Sequence, residues 1–464
     1  MSRRLAVEAA PGALETFAKS FDDLLERRNQ RDSFRRYLKG LLLPSERNKT
    51  LTGLANAEPL VGAHKPLAQK LQWFLSESNW DPEKVNERRL QLVMTDPQLK
   101  PNDQGALVID ETGDRKWGDK TAFVGKQYLG SVGKVDNGVV SVHALWADEQ
   151  VYHPLVFAPF IPARWFEGGK DDAEYRTKQQ LALELVSQAK ARGIPFKAVV
   201  ADSLYGEHRA FKKQLSEQGI AFVMTLKLSH DWYHAVGDIG CVRNIAEASP
   251  WQKDVPGDWQ QVQRRSRDRT EETWWLLEAN AGPFRAERKR RLVIATTDPS
   301  SLPDGSTLFL ETNAPIPGTA WAQESTLEAQ PANEILRLYT LRYWIEQSYK
   351  QVKQHLGWAE YQVRGALAIK RHWQLVLCAF SFCWWAAARA EGTELDEIAV
   401  EQDEPQAKKS LATWPQALRR VRAYLEPYLQ LSRFWQAFSN APPPTELARL
   451  LKRLRQGHGI NLYA

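Results

Sequence analysis

The chain has 464 residues, room for two or three domains, and its 62 basic against 56 acidic side chains leave a net charge of +6, a mild excess compatible with a polyanionic partner. Three cysteines (Cys241, Cys378, Cys383), none in a C-x2-C pair, argue against a disulfide scaffold and a cysteine zinc site. No apolar secretory run follows Met1, so a reducing cytoplasmic setting is expected.

Residues 1–95 read as polar and helical, with apolar positions at helical spacing in the runs 14–18, 34–43 and 67–75. Arg27, Arg28, Arg31, Arg35, Arg36 and Lys39 crowd one part of this region. They form either a solvated helix face or an early basic module suited to DNA. At Gly105 the period changes. Ala106-Leu-Val-Ile-Asp110 has the look of a buried strand ending on an acid, and the runs 138–146 and 151–157 read as its antiparallel neighbours. A helix is expected from Tyr175 to Arg192, closed by Gly193. Phe196-Lys-Ala-Val-Val-Ala-Asp202 repeats the apolar strand with a terminal acid, and a helix (207–218) and a strand (220–226) follow. Residues 96–227 therefore predict the first part of an α/β core with a mixed sheet.

From 228 to 330 the helical period is lost, and the pattern predicts a β-rich insertion with strands near Trp274 and Arg291. It carries Arg264, Arg265, Arg267, Arg269, Arg285, Arg288, Lys289, Arg290 and Arg291. Residues 331–400 return to helix as the second part of the core, and 401–464 form a helical C-terminal region broken at Pro442-Pro-Pro444. The apolar run Trp373 to Ala390 nears the length of a membrane span, but its small and aromatic residues fit a buried helix of a large core.

One helix in 331–400 sets charge beside its apolar stripe. Leu338, Leu341, Ile345, Tyr349, Val352 and Leu356 make the stripe. At ~100° per residue, Tyr339, Arg342, Glu346 and Lys353 share an adjoining sector about 60° wide. An Arg342–Glu346 pair steadying a solvated edge would explain the charges. So would a site. Asp110 and Asp202 end buried strands, where open α/β sheets bind ligands. Three converging carboxylates repel unless a cation neutralises them, and hard divalent ions, Mg²⁺ or Mn²⁺, suit oxygen ligands. Two such ions ~4 Å apart would clamp an in-line phosphoryl displacement.

Asp110-Glu-Thr-Gly113, Val200-Ala-Asp-Ser-Leu-Tyr-Gly206 and Tyr339-x2-Arg342-x3-Glu346-x6-Lys353 resemble the three motifs of DDE transposases of bacterial insertion sequences. The last resembles the Y-R-E-K signature of the IS-four superfamily, and Lys126 to Gly138 resembles the IS-seven-oh-one-like group. The similarity runs from about residue 100 to 375. It implies a ribonuclease-H-like catalytic core with a mixed sheet, interrupted by the insertion and flanked by helical regions. It further implies a bacterial protein at the nucleoid that cuts double-stranded DNA at terminal inverted repeats and joins it to target DNA. Asp110, Asp202 and Glu346 would be both catalytic and metal-holding, and a homodimer would form the active complex. Tyr339, Arg342, Lys350 and Lys353 would contact DNA, and Trp321 would stack a base. Two other readings stay open: a related nuclease without strand transfer, and a DNA-binding protein that has lost catalysis. Paired carboxylates of a glycosidase would leave Arg342 and Lys353 unexplained.

Overall fold

The computed structural model describes residues 11–44, 48–54, 66–235, 238–248, 251–252, 257–265, 271–280, 289–302, 307–389 and 411–460. Arg267, Arg269, Arg285 and Arg288 of the basic insertion lie outside the described residues. Two compact units form, one from residues within 1–100, 116–124 and 347–464, the other from 101–115 and 125–346.

The first unit begins with helices α1 (Ala13–Lys19), α2 (Arg28–Leu42), α3 (Leu51–Leu54), α4 (Pro66–Ser76) and α5 (Pro82–Met94). In α2, Phe34, Tyr37, Leu38, Leu41 and Leu42 recur at helical spacing and are buried. Asp81 starts α5 by accepting the Glu83 N–H, with Pro82 at the first helical position. Much of the basic cluster here serves the fold. Arg31 is buried and donates to the Leu25 and Glu26 carbonyls. Arg35, 2% exposed, forks onto Glu15 at 2.8 Å and Asp22 at 2.7 Å. Arg27 and Arg28 stay exposed.

The second unit holds one large sheet. Its strands are β1 (Ala106–Arg115), β2 (Gly125–Leu129), β3 (Lys134–Ala147), β4 (Tyr152–Pro159), β5 (Ala198–Ala201) and β6 (Phe222–Thr225), with a small hairpin of β7 (Asp231–Ala235) and β8 (Asp238–Cys241) apart from it. The sheet continues through β9 (Gln260–Arg265), β10 (Glu271–Asn280), β11 (Arg291–Thr296) and β12 (Leu308–Thr312). The order is β2-β3-β1-β5-β6-β12-β11-β10-β9, with β4 also on β3. β1, β5 and β6 run parallel and their other pairings are antiparallel. Ala106–Ile109 and Val199–Ala201 are fully buried, as central parallel strands covered on both faces must be. Each such Val, Leu or Ile contributes roughly 1.5–3 kcal/mol by leaving water. The path β4-β3-β1-β5-β6 is that of a ribonuclease-H-like core. The stretch read as an insertion adds four strands to this same sheet, because β12 pairs with β6.

Helices α6 (Lys178–Ala191), α7 (Ser203–Gly206), α8 (Arg209–Glu217), α9 (Val242–Glu247), α10 (Ala320–Glu324) and α11 (Ala332–Thr340) complete this unit. Thr177 and Gln180 form a capping box at the start of α6, and Gly193, at φ 70, follows its end. Cations of the insertion turn inward as well. Arg291, fully buried, pairs with Glu278 at 3.2 Å, and Arg290 lies over the Phe222 ring and near Glu311. Lys289 pairs with Glu324.

The single helix expected through Tyr339 and Lys353 is two: α11, and α12 (Tyr343–Leu356). Between them the N–H groups of Leu341, Arg342, Trp344 and Ile345 each bond three residues back, which tightens the turn and shifts the phase of everything that follows. Thr340 also turns its hydroxyl onto the Arg337 carbonyl, competing with the ladder. The division between the units falls inside α12, between Glu346 and Gln347. In the first unit, α13 (Ala366–Ala388) is followed by α14 (Trp414–Phe438) and α15 (Thr445–Arg455). The apolar run at 373 sits in α13, packed by α1, α2, α4, α5 and α14. Polar groups on it are matched: Arg371 donates to the Leu75 and Trp80 carbonyls, and Gln374 to Asn86. Among the described residues no helix is long and apolar enough to cross a membrane.

Candidate active site

Four side chains from three separate parts of the second unit meet midway along β1, where its pairing with β5 stops, and just past the carboxyl end of β5; the strand expected to end at Asp110 runs on to Arg115 because β3 keeps pairing with it. Asp110 belongs to β1, Asp202 follows β5, Arg342 lies in the turn between α11 and α12, and Glu346 is on the first turn of α12. Arg342 joins the acids. Its Nη2 is 3.1 Å from Asp110 Oδ2 and 3.8 Å from Asp202 Oδ2, and its Nη1 is 2.7 Å from Glu346 Oε1. The Arg342–Glu346 pair expected on the helix exists, and the same guanidinium also reaches both aspartates. Arg342 Nε is buried with no hydrogen-bond partner among the described residues.

Each aspartate commits one oxygen to the backbone and turns the other to the cluster. Asp110 Oδ1 accepts the Glu111 N–H at 2.8 Å, and Asp202 Oδ1 accepts the Leu204 N–H at 2.9 Å, capping α7. A helix cap and a site ligand are thus compatible in one residue. Burial pushes the Asp110 carboxyl up to about 7; Arg342 pulls it down, while Asp202 and Glu111 add repulsion. Burial works against the Arg342 charge, yet Asp110, Tyr339, Asp202 and Glu346 hold it above the ordinary arginine range.

Tyr339, in the last turn of α11, has its hydroxyl 3.3 Å from Thr225 Oγ1, and burial raises the phenol. Tyr152 stacks on Trp344 at 4.3 Å, which seats the start of α12. Lys350 and Lys353 lie further along α12, Lys350 exposed and Lys353 half-buried. Trp321 is half-buried on the short α10 and is not one of the four side chains that meet in the cluster. Glu111, Tyr205 and Gly206, to which the sequence pattern assigned no role, support the cluster. Glu111 accepts from Lys178 Nζ at 3.0 Å and from the Tyr205 hydroxyl at 2.9 Å. Gly206 ends α7 where any Cβ would overlap the Thr225 carbonyl oxygen. Only the chain order Asp-Glu and the Asp-x2-Tyr-Gly spacing hint at them.

The donors are hard oxygens, right for a divalent cation, and a buried carboxyl raised toward neutrality needs a counter-charge to ionise. Among the described residues no three side chains of metal-binding type stand close enough to share one ion as placed. Arg342 stands between them and supplies the positive charge. The donor set therefore fits a metal in chemistry, with Arg342 in the place where a cation is called for.

A ribonuclease-H-like sheet with one acid within its first core strand, a second just after its fourth and a third on a following helix defines a nuclease of the DDE class. The family model of DDE superfamily endonucleases matches residues 20–280, a span holding Asp110 and Asp202 but not Glu346. The probable transposase for insertion sequence element IS701 of Microchaete diplosiphon is 32% identical over 296 residues, 64% of this chain and 68% of that protein. The chain belongs to the DDE superfamily endonucleases, and among them to the IS701-like insertion-sequence transposases. It is an enzyme that acts on DNA, of a family that depends on divalent metal.

Proposed function

We propose that the protein cuts double-stranded DNA at the terminal inverted repeats of an IS701-like element and joins the freed 3′ ends to target DNA. Asp110, Asp202 and Glu346 are the catalytic carboxylates and would hold Mg²⁺ or Mn²⁺, as a pair of ions. When bound, the metal would supply Lewis-acid polarisation of the scissile phosphate and a nucleophile at neutral pH. The chain's own part is placement. The Asp110 and Asp202 oxygens anchored on backbone N–H groups fix where the remaining oxygens point. Arg342 suits a bidentate grip on a phosphate, Tyr339 a hydrogen bond to an anionic oxygen, and Lys350 and Lys353 point charges on the DNA backbone. Trp321 would stack an unpaired base, and two copies would assemble on paired ends.

The observation that carries this reading is the single guanidinium ion-paired to all three acids. Its charge stands where a phosphate and its cations would be exchanged for it. The test is cleavage of a labelled duplex carrying the element's end, with Mg²⁺, by wild type and by Asp110→Ala, Asp202→Ala and Glu346→Ala. All three variants should bind the duplex and none should cut it. Wild-type cutting by any one of them removes that residue from the site. Wild-type cutting without joining to target would favour the nuclease reading.

A further inference from the structure

Glu111 directly follows Asp110 on β1, yet it takes no part in the Arg342 cluster. Successive strand residues face opposite ways, and Glu111 meets Lys178, the first residue of α6, and Tyr205 of α7. Tyr205 is fully buried, and Glu111 and Lys178 are each about one-fifth exposed. The turn carrying Tyr205 is the one Asp202 caps, so Asp202 and Tyr205 move as one piece. That piece is further seated by Gly206 against the Thr225 carbonyl.

We propose that Glu111 and Tyr205 are positioning residues that set the separation of the two catalytic aspartates, with Lys178 holding Glu111 in place. The Glu111–Tyr205 hydrogen bond ties the middle of β1 to the turn after β5, one residue from Asp110 and three from Asp202. Backbone pairing of β1 with β5 stops at Ile109–Ala201, just short of both acids. Beyond that point β1 stays paired with β3 but no ladder bond joins it to the segment after β5, and the side-chain bond takes over. Both Glu111 oxygens already have donors, which suits an anchor between β1 and α7. Partners that orient metal-binding side chains commonly alter metal affinity ~10–100-fold when removed.

This inference rests on the three-acid reading, and its test keeps the two apart. Mn²⁺ binding to the full chain without DNA is followed by the loss of the free-ion paramagnetic resonance signal, alongside urea denaturation. Tyr205→Phe removes one hydroxyl and Glu111→Gln removes the charge; Asp110→Asn is the control. Tyr205→Phe and Glu111→Gln should weaken Mn²⁺ binding about tenfold or more at unchanged ion number, with the Tyr205→Phe denaturation midpoint near wild type. Wild-type Mn²⁺ affinity in Tyr205→Phe would overturn the proposal, because the bond would then only pack α7. So would a lost ion in Glu111→Gln beside a neutral Tyr205→Phe, which would make Glu111 a ligand. Should Glu111→Gln not fold, Tyr205→Phe decides alone. If Asp110→Asn binds Mn²⁺ as wild type does, the three-acid reading itself fails and takes this one with it.

Discussion

Asp110→Asn should make the metal-free protein more stable, and only at pH values above those where the unfolded chain's carboxyl ionises. In the unfolded chain Asp110 titrates near 3.8, whereas in the fold burial raises it to about 7 even with Arg342 beside it. The folded state thus resists ionisation. Stability associated with this group is intact below the unfolded value, is lost progressively as pH rises, and is fully lost above about 7. At ~1.4 kcal/mol per pH unit, the interval from 3.8 to about 7 corresponds to roughly 4 kcal/mol at pH 8. At pH 5 the same group costs roughly 2 kcal/mol, because the folded form is still protonated there. Asparagine keeps the shape and an oxygen for the Glu111 N–H while removing the charge. The assay is urea denaturation in a chelator at pH 5 and pH 8. The variant should gain stability at both, between two and three times as much at pH 8. A divalent cation should stabilise wild type and leave the variant unmoved. Equal stability of the two proteins at pH 8, or a gain that does not change with pH, would refute the reasoning.

Arg342→Lys keeps a charge but not the fork, so it should slow the joining step by roughly tenfold to a hundredfold while first-strand nicking survives in part. A time course on a labelled end duplex resolves the two, and equal slowing of every step would assign Arg342 to fold stability. Arg35→Ala should cost about 3 kcal/mol, since it removes the buried cation that Glu15 and Asp22 share, and urea denaturation measures it. Charge removal at the exposed Arg27 and Arg28 should leave stability alone and flatten the salt dependence of DNA binding by about one unit of slope for each phosphate no longer neutralised. An unchanged slope returns both to solvent. Gly206→Ala should abolish cleavage and lower the melting temperature, because the added methyl meets backbone rather than a movable side chain. A melting temperature equal to wild type would show that α7 can shift.

Sequence periodicity carried the central strands well. Ala106 to Ile109 and Ala198 to Ala201 are apolar without alternation because both faces are covered, and Asp202 follows the end of β5. Asp110 does not end β1: the strand runs on to Arg115 along β3, with Thr112, Gly113 and Asp114 still buried, and the run Glu111-Thr-Gly-Asp hid that length because it carries no apolar side chain. The helix through Arg342 was legible in its apolar stripe but not in its break. Nothing in Leu341-Arg342 is a breaker. The tight turn follows from tertiary demands, Trp344 stacking on Tyr152 and Arg342 reaching three acids. The arginine clusters were misleading for a related reason. Arg35 stood in a cluster that suited solvent or DNA and Arg291 in the basic run of the insertion, yet their partners Glu15 and Glu278 are distant enough in sequence that only the fold brings them together. Composition cannot tell a cation aimed at DNA from one aimed at its own chain. Glu111 was hidden because an acid next to an acid looks redundant until its partners are seen.

The pairing of β12 with β6 has a bearing on how the protein is made. Thr225 waits for Leu310, 310 − 225 = 85 positions later, before β6 gains its second neighbour. Glu346 is synthesised 346 − 202 = 144 positions after Asp202. Such long-range pairing closes slowly, after local helices have formed. A nascent chain that has emerged only through β6 carries both aspartates and the parallel centre of the sheet, but neither Arg342 nor Glu346. If the acids act as proposed, a ribosome-bound transposase is harmless to the DNA beside it, and cutting begins only once the last quarter of the chain is under way.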